Sequence, residues 1–378
     1  MLHAASLQTA LLKPHPSSLP KKPRIWEIDF LRGICIVLVV FDHFMFAWIS
    51  VYQMSGGFLY TMGNPVIEEM MYTALWYWDW QVRIITRYTV IFLFLFLSGI
   101  SSTFSRGQAK RFLDLAVGAS LVTLATVLIM PDFPIVFGIL HIMAFNVLFY
   151  FLYDLWAKKV IQPDKSCLRK ILYLLPLFAV GVFLVVLGFQ IPFYEVVSWG
   201  RGYGIEGWRS IEIQGDFLWP LIFMSLAFVV YLIQFARIKF LSPLLEKKCK
   251  QPKRAILISH FAAGVVIGTG LILLLTLYPI EPIRRETFDL FFGIVQGTRH
   301  FGADFYGVMP FTGVFLLGVV TGQLVYAKKN SLLPKLDKSY NRAFCFSGKY
   351  AFLIYLAHLV IIMPLVLGAA LLAGYQLF

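Results

Sequence analysis

A succession of apolar runs, each about 20 residues long, limits the fold of this chain more than any other feature of its sequence. A helix of that length crosses a hydrocarbon core about 30 Å thick. A soluble core could not hide so much apolar surface, because 59% of the 378 residues are hydrophobic and the mean hydropathy is +0.76. The sequence therefore predicts an all-α polytopic integral membrane protein, with its transmembrane helices around a polar central cavity.

The apolar runs number about nine. Two further segments, residues 65–80 and 285–297, have the character of short interfacial or re-entrant helices and would bring the number to ten or eleven. The nine predicted spans lie near residues 31–52, 83–104, 111–130, 134–156, 170–190, 217–238, 255–278, 308–327 and 347–373.

Basic residues are concentrated on one side of the predicted membrane. The net charge of +13 could by itself indicate nucleic-acid binding. With the N-terminus inside, however, 26 of the 33 Lys and Arg lie on the inner side and 7 on the outer side. This asymmetry is the positive-inside signature of membrane proteins. The charge therefore indicates a cytoplasmic N-terminus, and no nucleic acid is expected as a partner.

The sequence divides into two segments. Residues 1–23 contain an apolar patch that is too short and too interrupted for a secretory signal. We expect them to form a flexible cytoplasmic leader, followed by one integral membrane domain over residues 24–378. The four cysteines lie within a span or on the inner side and form no CxxC pair, so we expect neither disulfides nor a zinc site.

The first apolar run carries polar residues that a spanning helix normally excludes: Asp29, Arg32, Asp42 and His43. The eleven residues from Arg32 to His43 advance an α-helix by three turns and about 20°, so both side chains lie on one stripe. The rise between them is about 16 Å. Asp29, three residues before Arg32, is placed to pair with it. The stripe connects a charge at the inner surface to an imidazole near the middle of the membrane.

Two further histidines lie at comparable depth in other predicted spans. His141 is in "FGILHIMAFN" and His358 is in "IYLAHLVI". Each could simply hydrogen-bond a neighbouring helix, but three histidines at one depth favour convergence with His43 on one polar cavity. Imidazole suits zinc. No HExxH motif or carboxylate–histidine pair at ligand spacing is present, so no metal is expected.

The predicted outer side is rich in aromatic residues. Seven of the nine tryptophans lie on or near it. They form either an interfacial belt with loop packing or a platform for a carbohydrate or a lipid headgroup.

Six sequence blocks together resemble a known family of membrane proteins over about residues 24–370. They are "IDFLRG", the R-x10-H spacing from Arg32 to His43, "FLFLSGISSTFSR", "FGILH", "FYGVMPFTGVFLLGVVTG" and "GKYAFLIYLAHL". The blocks are similar to bacterial membrane proteins related to heparan-α-glucosaminide N-acetyltransferase. The R-x10-H spacing is similar to that of the wider transmembrane acyltransferase superfamily.

The resemblance implies an acyltransferase in the bacterial cytoplasmic membrane. It would move an acyl group, expected to be acetyl, from cytoplasmic acyl-CoA to a sugar or other acceptor beyond the membrane. The implied catalytic group is His43 alone. Among the other buried histidines, His141 is the next candidate on its position in the sequence. The implied partners are the lipid bilayer, acetyl-CoA and a glycan or glycolipid acceptor, and a homo-oligomer stays open. Gly307 stands where related proteins have a proline, which predicts a different outer acceptor mouth.

The resemblance also places the donor at the inner ends of the spans, because CoA carries phosphates and cannot cross a bilayer. Basic side chains there suit phosphates, although positive-inside anchoring also explains each of them. The donor-binding candidates are Arg32 with Asp29, Arg106, Lys110 and Arg111. On the outer side, Arg83 and His300 also border span mouths, and Asp304 could hold an acceptor or cap the eighth span. The candidates for the cavity or acceptor side are Asp42, His358, Arg87, Arg299 and Asp304.

Two other functions fit the same sequence. A transporter of a small anion or of a proton-coupled solute would use the buried histidines as a relay, but the chain shows no inverted repeat or paired broken helices. A structural or accessory subunit would use the polar residues only for packing.

Overall fold

The computed structural model describes residues 25–55, 64–105, 107–129, 135, 137–190, 218–241, 253–277 and 306–377. This part of the chain contains helices and no strand, and six helices are long and apolar enough to cross a membrane. The prediction of an all-α polytopic membrane protein is therefore confirmed. The helices are α1 (Trp26–Met54), α2 (Pro65–Asp79), α3 (Gln81–Ser102), α4 (Gln108–Ile129), α5 (Ile139–Val160), α6 (Cys167–Gln190), α7 (Leu218–Ala236), α8 (Lys253–Leu277), α9 (Phe311–Leu324), α10 (Arg342–Lys349) and α11 (Ala351–Leu372).

Each of the nine predicted spans coincides with one helix, namely α1, α3 to α9 and α11. α1 begins earlier than predicted because its first residues are held by the segment before α10. The Trp26 indole N–H donates to the Leu333 carbonyl at 3.1 Å, and Glu27 Oε1 accepts from the Leu332 N–H at 2.7 Å. α9 begins later than predicted, at Phe311, because Pro310 is its N-cap.

The segment predicted at 65–80 as an interfacial or re-entrant helix is α2. Asn64 caps this helix by accepting a hydrogen bond from the Val66 N–H at 2.9 Å. One face of α2 is buried through Ile67, Met71 and Ala74, which pack in one apolar cluster with the second half of α1 and of α11. Residues 285–297 and the predicted leader, residues 1–23, lie outside the described residues.

Glycines allow the described helices to approach closely at several crossings, as is common between membrane helices. A Cβ on Gly99 of α3 would clash with the Phe315 carbonyl oxygen of α9. At another crossing, between α1 and α10, a Cβ on Gly33 would clash with the Phe344 carbonyl oxygen, and one on Gly348 would clash with the Asp29 carbonyl oxygen. This crossing holds α10 against the turn of α1 that carries Arg32.

We expect Gly348→Ala to destabilise the protein, because the added methyl group meets backbone rather than a flexible side chain. Separating α10 from α1 should lower the free energy of unfolding by roughly 1–3 kcal/mol. The matched control is Gly368→Ala in α11, where a Cβ would meet no atom within 4 Å. Thermal unfolding in detergent measures both variants. Equal melting temperatures for the two would contradict the close crossing.

Candidate functional site

A pocket lies among α1, α2, α3, the start of α5, the turn before α9 and α11. It contains about 570 Å³ of empty space, including its open mouth. Charged and hydroxyl groups line one part of it and aliphatic side chains line the rest. Its lining residues are Leu38, Val39, Asp42, His43, Tyr77, Arg83, Thr86, Arg87, Val90, Ile91, Ile139, Tyr306 and Tyr355.

His43 lies in the pocket wall, half-buried, with its ring oriented by its own helix. Its Nδ1 lies 2.8 Å from the Val39 carbonyl oxygen. A carbonyl can only accept, so Nδ1 carries the proton of the neutral ring and Nε2 carries the lone pair. Nε2 is therefore the basic and nucleophilic atom of this imidazole.

The structure brings His358 against His43, but it does not bring His141 to the pocket wall. The His43 and His358 rings meet edge to face, with centroids 4.7 Å apart. His358 is 4% exposed, and its Nδ1 lies 2.5 Å from the Tyr355 oxygen. His141 is in the first turn of α5, with Nε2 2.9 Å from Thr123 Oγ1. Ile139 faces the pocket instead. His141 is two positions later in the same helix, so its side chain points about 200° away from that of Ile139.

Asp42 makes a buried ion pair with Arg83. Arg83 Nε lies 2.8 Å from Asp42 Oδ1, and Arg83 Nη2 lies 3.0 Å from Oδ2, so the pair is bidentate. The Tyr77 hydroxyl donates to the same Oδ1 at 3.1 Å, and the Trp78 ring centroid lies 3.5 Å from the Arg83 guanidinium carbon. Burial raises the pKa of Tyr77 to about 12, and the Asp42 carboxylate acts in the same direction, so Tyr77 stays a proton donor.

Arg87 lies one turn beyond Arg83 on α3 and reaches the other side of the pocket. Its Nη2 donates to the Tyr306 hydroxyl at 3.4 Å. The Tyr306 N–H donates to the Phe137 oxygen at 2.9 Å, which ties the turn before α9 to the start of α5. Arg299, His300 and Asp304, which were also predicted near this mouth, lie outside the described residues.

Two arginines converge on the last turns of α3. The Arg32 guanidinium donates to Ser101 Oγ and, at 3.3 Å, to the Leu97 oxygen. Arg111 donates to Ser102 Oγ and to Ser98 Oγ, both at 2.9 Å. The pairing predicted for Asp29 and Arg32 is present, at 3.9 Å. We call this cluster of Arg32, Arg111 and the three serines the arginine–serine site.

Lys110 does not join the arginine–serine site. It points to the exposed side of α4, where its Nζ lies 2.9 Å from Asp114 Oδ2. Lys110 and Arg111 are adjacent, so a helix points them about 100° apart and only one can face α3. Arg106 lies outside the described residues. The described part of the chain contains no group of three His, Cys, Asp or Glu side chains that could hold a metal ion.

Sequence reasoning missed the aromatic members of the pocket. Tyr77 comes from α2, and Tyr306 and Tyr355 come from two distant segments. It also missed Trp78 of α2, which covers Arg83 without lining the pocket. The available signal was the "WYWDW" run beside two arginines one turn apart, "RIITR".

Comparison with known proteins relates this arrangement to one enzyme family. The family model described as heparan-alpha-glucosaminide N-acetyltransferase, catalytic, matches residues 24–161 and 254–360. The matched ranges include both the pocket and the arginine–serine site. Neither a curated protein nor a solved structure matches the chain.

Proposed function

The chain belongs to the heparan-alpha-glucosaminide N-acetyltransferase family of membrane acetyltransferases, and from this premise we propose that it moves an acetyl group across the membrane. The donor is acetyl-CoA at the cytoplasmic end of α1. The acceptor is an amine or hydroxyl group of a sugar at the opposite end. The membrane is the bacterial cytoplasmic membrane, with the N-terminus inside.

One observation carries this proposal: α1 contributes a residue to the arginine–serine site and another to the pocket, and these two residues lie on one stripe of that helix. Arg32 belongs to the first and His43 to the second, with about 16 Å of helix between them. A phosphate group bound near Arg32 would leave the flexible arm of CoA to extend along α1 toward His43. The acetyl group alone then needs to reach the pocket.

The arginine–serine site suits the phosphates of CoA. Two guanidinium groups meet there, with Asp29 at 3.9 Å as the carboxylate beside Arg32. The serine hydroxyls that now accept from Arg32 and Arg111 can exchange these bonds for bonds to phosphate oxygens. Charge-assisted bonds to phosphate are stronger than bonds to hydroxyl groups. Asp29 and Ser101 orient Arg32 before the donor arrives.

His43 supplies the group that the transfer requires. In direct transfer, the oxygen or nitrogen of the acceptor attacks the thioester carbonyl, and Nε2 takes the proton of that attacking group. In a two-step route, Nε2 first takes the acetyl group and then passes it to the acceptor. In both routes the carbon–sulfur bond breaks, the new acetyl bond forms, and the acceptor proton ends on the CoA sulfur. Mixing with labelled acetyl-CoA without acceptor, followed by denaturation at neutral pH and immediate mass spectrometry, separates the routes, since only the second gives labelled protein.

Proteoliposomes test both the reaction and its sidedness. Cys167, exposed at the start of α6, reports orientation to an impermeant thiol reagent. We expect acetyl-CoA to support transfer only when supplied on the side where Cys167 is labelled, with glucosamine on the opposite side becoming acetylated. Transfer from the other side would overturn the proposed direction. Movement of glucosamine without release of CoA would favour the transporter.

We expect Arg32→Ala mainly to raise the KM for acetyl-CoA, by roughly 10- to 100-fold, because it removes a charged contact made in ground and transition states alike. The kcat at saturating donor should change much less. Initial rates over a range of acetyl-CoA concentrations separate the two parameters. Ser259→Ala on α8 is the control for substitution of a polar residue in a span, and it should leave both parameters unchanged. A fall in kcat with an unchanged KM would contradict a donor-binding role for Arg32.

A further inference from the structure

One face of α2 is exposed although it carries large aromatic side chains. The exposed positions follow each other at helical spacing, from Val66 through Glu69, Tyr72 and Thr73 to Trp76. Tyr72 is 52% exposed and Trp76 is 65% exposed. In a membrane protein an exposed aromatic face contacts either lipid or an aqueous ligand, and its neighbouring side chains distinguish the two.

Trp76 and Trp80 form a rigid apolar plate on this face. Their ring centroids lie 5.4 Å apart with an interplanar angle of 23°, so the rings are stacked. Trp80 is 44% exposed, and it is the single residue between α2 and α3, with φ −71° and ψ 122°. Each ring restricts the rotation of the other, so ligand binding on the plate costs the two tryptophans little further side-chain entropy.

The polar neighbours of the plate distinguish it from a lipid-facing surface. Glu69, Thr73 and Asp79 are exposed on or beside the same face. Carboxylates in contact with hydrocarbon are costly, so this face lies in water or among headgroups. A sugar ring offers an apolar face of C–H groups and a rim of hydroxyl donors. Indole rings flanked by carboxylate acceptors match both of these features.

The plate adjoins the pocket through the residues between its two rings. Tyr77 lines the pocket and donates to Asp42, and Trp78 covers Arg83. We propose that Trp76 and Trp80 form a sugar-binding subsite, which stacks on a ring of the acceptor next to the sugar that is acetylated. This inference rests on the proposed function, and it assigns the acceptor to oligosaccharides rather than to single sugars.

Acceptor length tests the subsite. Glucosamine and its β-1,4-linked trimer are compared as acceptors at saturating acetyl-CoA. For the wild-type protein we expect a lower KM for the trimer than for the monomer. Trp76→Ala and Trp80→Ala should raise the trimer KM by roughly tenfold and leave the monomer KM and the acetyl-CoA KM unchanged. Trp76→Phe should retain most of the advantage of the trimer.

Trp156→Ala is the matched control, because Trp156 is 53% exposed near the opposite end of the helices, in α5. If the plate is only an interfacial anchor, Trp76→Ala and Trp80→Ala will lower the melting temperature and leave the trimer KM unchanged, which overturns the subsite. That outcome leaves acetyl transfer itself intact, so the proposed function survives it.

If the wild-type protein acetylates neither acceptor, the proposed function fails, and direct binding then decides the subsite alone. Saturation-transfer NMR with the trimer should show contacts that Trp76→Ala and Trp80→Ala abolish and Trp156→Ala retains. Equal signals from all three variants would overturn the subsite.

Discussion

Replacement of His43 by alanine is expected to lower kcat by about 10² to 10⁴, while acetyl-CoA still binds. The Nδ1 proton of this ring is held by the Val39 carbonyl, so the lone pair on Nε2 is the group that can take a proton or an acetyl group. Alanine removes that atom but leaves the arginine–serine site intact. Calorimetry should therefore show that the variant binds acetyl-CoA normally, while turnover in nanodiscs should show the loss of kcat.

His141→Ala provides the comparison. If His141 rather than His43 performs the chemistry, its variant shows the larger fall in kcat, and the assignment moves to α5. A folded His43→Ala protein with near-normal transfer would refute the catalytic role of His43. His43→Gln keeps a polar side chain of similar length, so activity retained in glutamine but lost in alanine would indicate a packing role.

The second large effect is expected on stability, from Arg83→Ala. The change leaves the Asp42 carboxylate in a poorly solvated site without its bidentate partner, and the side chains of the pair are only 5% and 17% exposed. Breaking a buried ion pair from one side costs about 3–5 kcal/mol. The double variant Asp42→Asn with Arg83→Gln should lose less than Arg83→Ala alone, because no buried charge is left unpaired.

The exposed pair of Lys110 and Asp114 is the control for this prediction. Asp114→Ala should change the free energy of unfolding by at most about 1 kcal/mol, as for other surface pairs. Thermal unfolding in one detergent measures all the variants. If Arg83→Ala proves no less stable than Asp114→Ala, the ion pair does not hold α1, α2 and α3 together around the pocket.

The spans and the stripe on α1 could be predicted because both depend on local periodicity. Length and apolar composition locate a transmembrane helix, and a fixed 100° per residue places Arg32 and His43 on one side. The depth of His358 could be predicted in the same way. Its contact with His43 required only that α11 pack beside α1.

The orientation of the other candidates could not be predicted, because it depends on how each helix is rotated about its axis. α5 is apolar on nearly all sides, so its sequence does not show whether Ile139 or His141 faces the pocket. The adjacent pair Lys110 and Arg111 presents the same difficulty on α4. The ion pair between Asp42 and Arg83 joins two different helices, so no spacing within one helix predicts it. The pairing depends on how α1 packs against α3.

The bond between Glu27 and Leu332 has a consequence for biosynthesis, since its two residues are 305 positions apart in the chain. The contacts of Gly33 with Phe344 and of His43 with His358 are comparably distant. A ribosome delivers α1 first and α11 last among the described helices. During most of translation, the polar stripe of α1 therefore lacks its contacts with α10 and α11. Because uncompensated polar groups within a bilayer are costly, these side chains raise the free energy of inserting α1 before α10 and α11 follow.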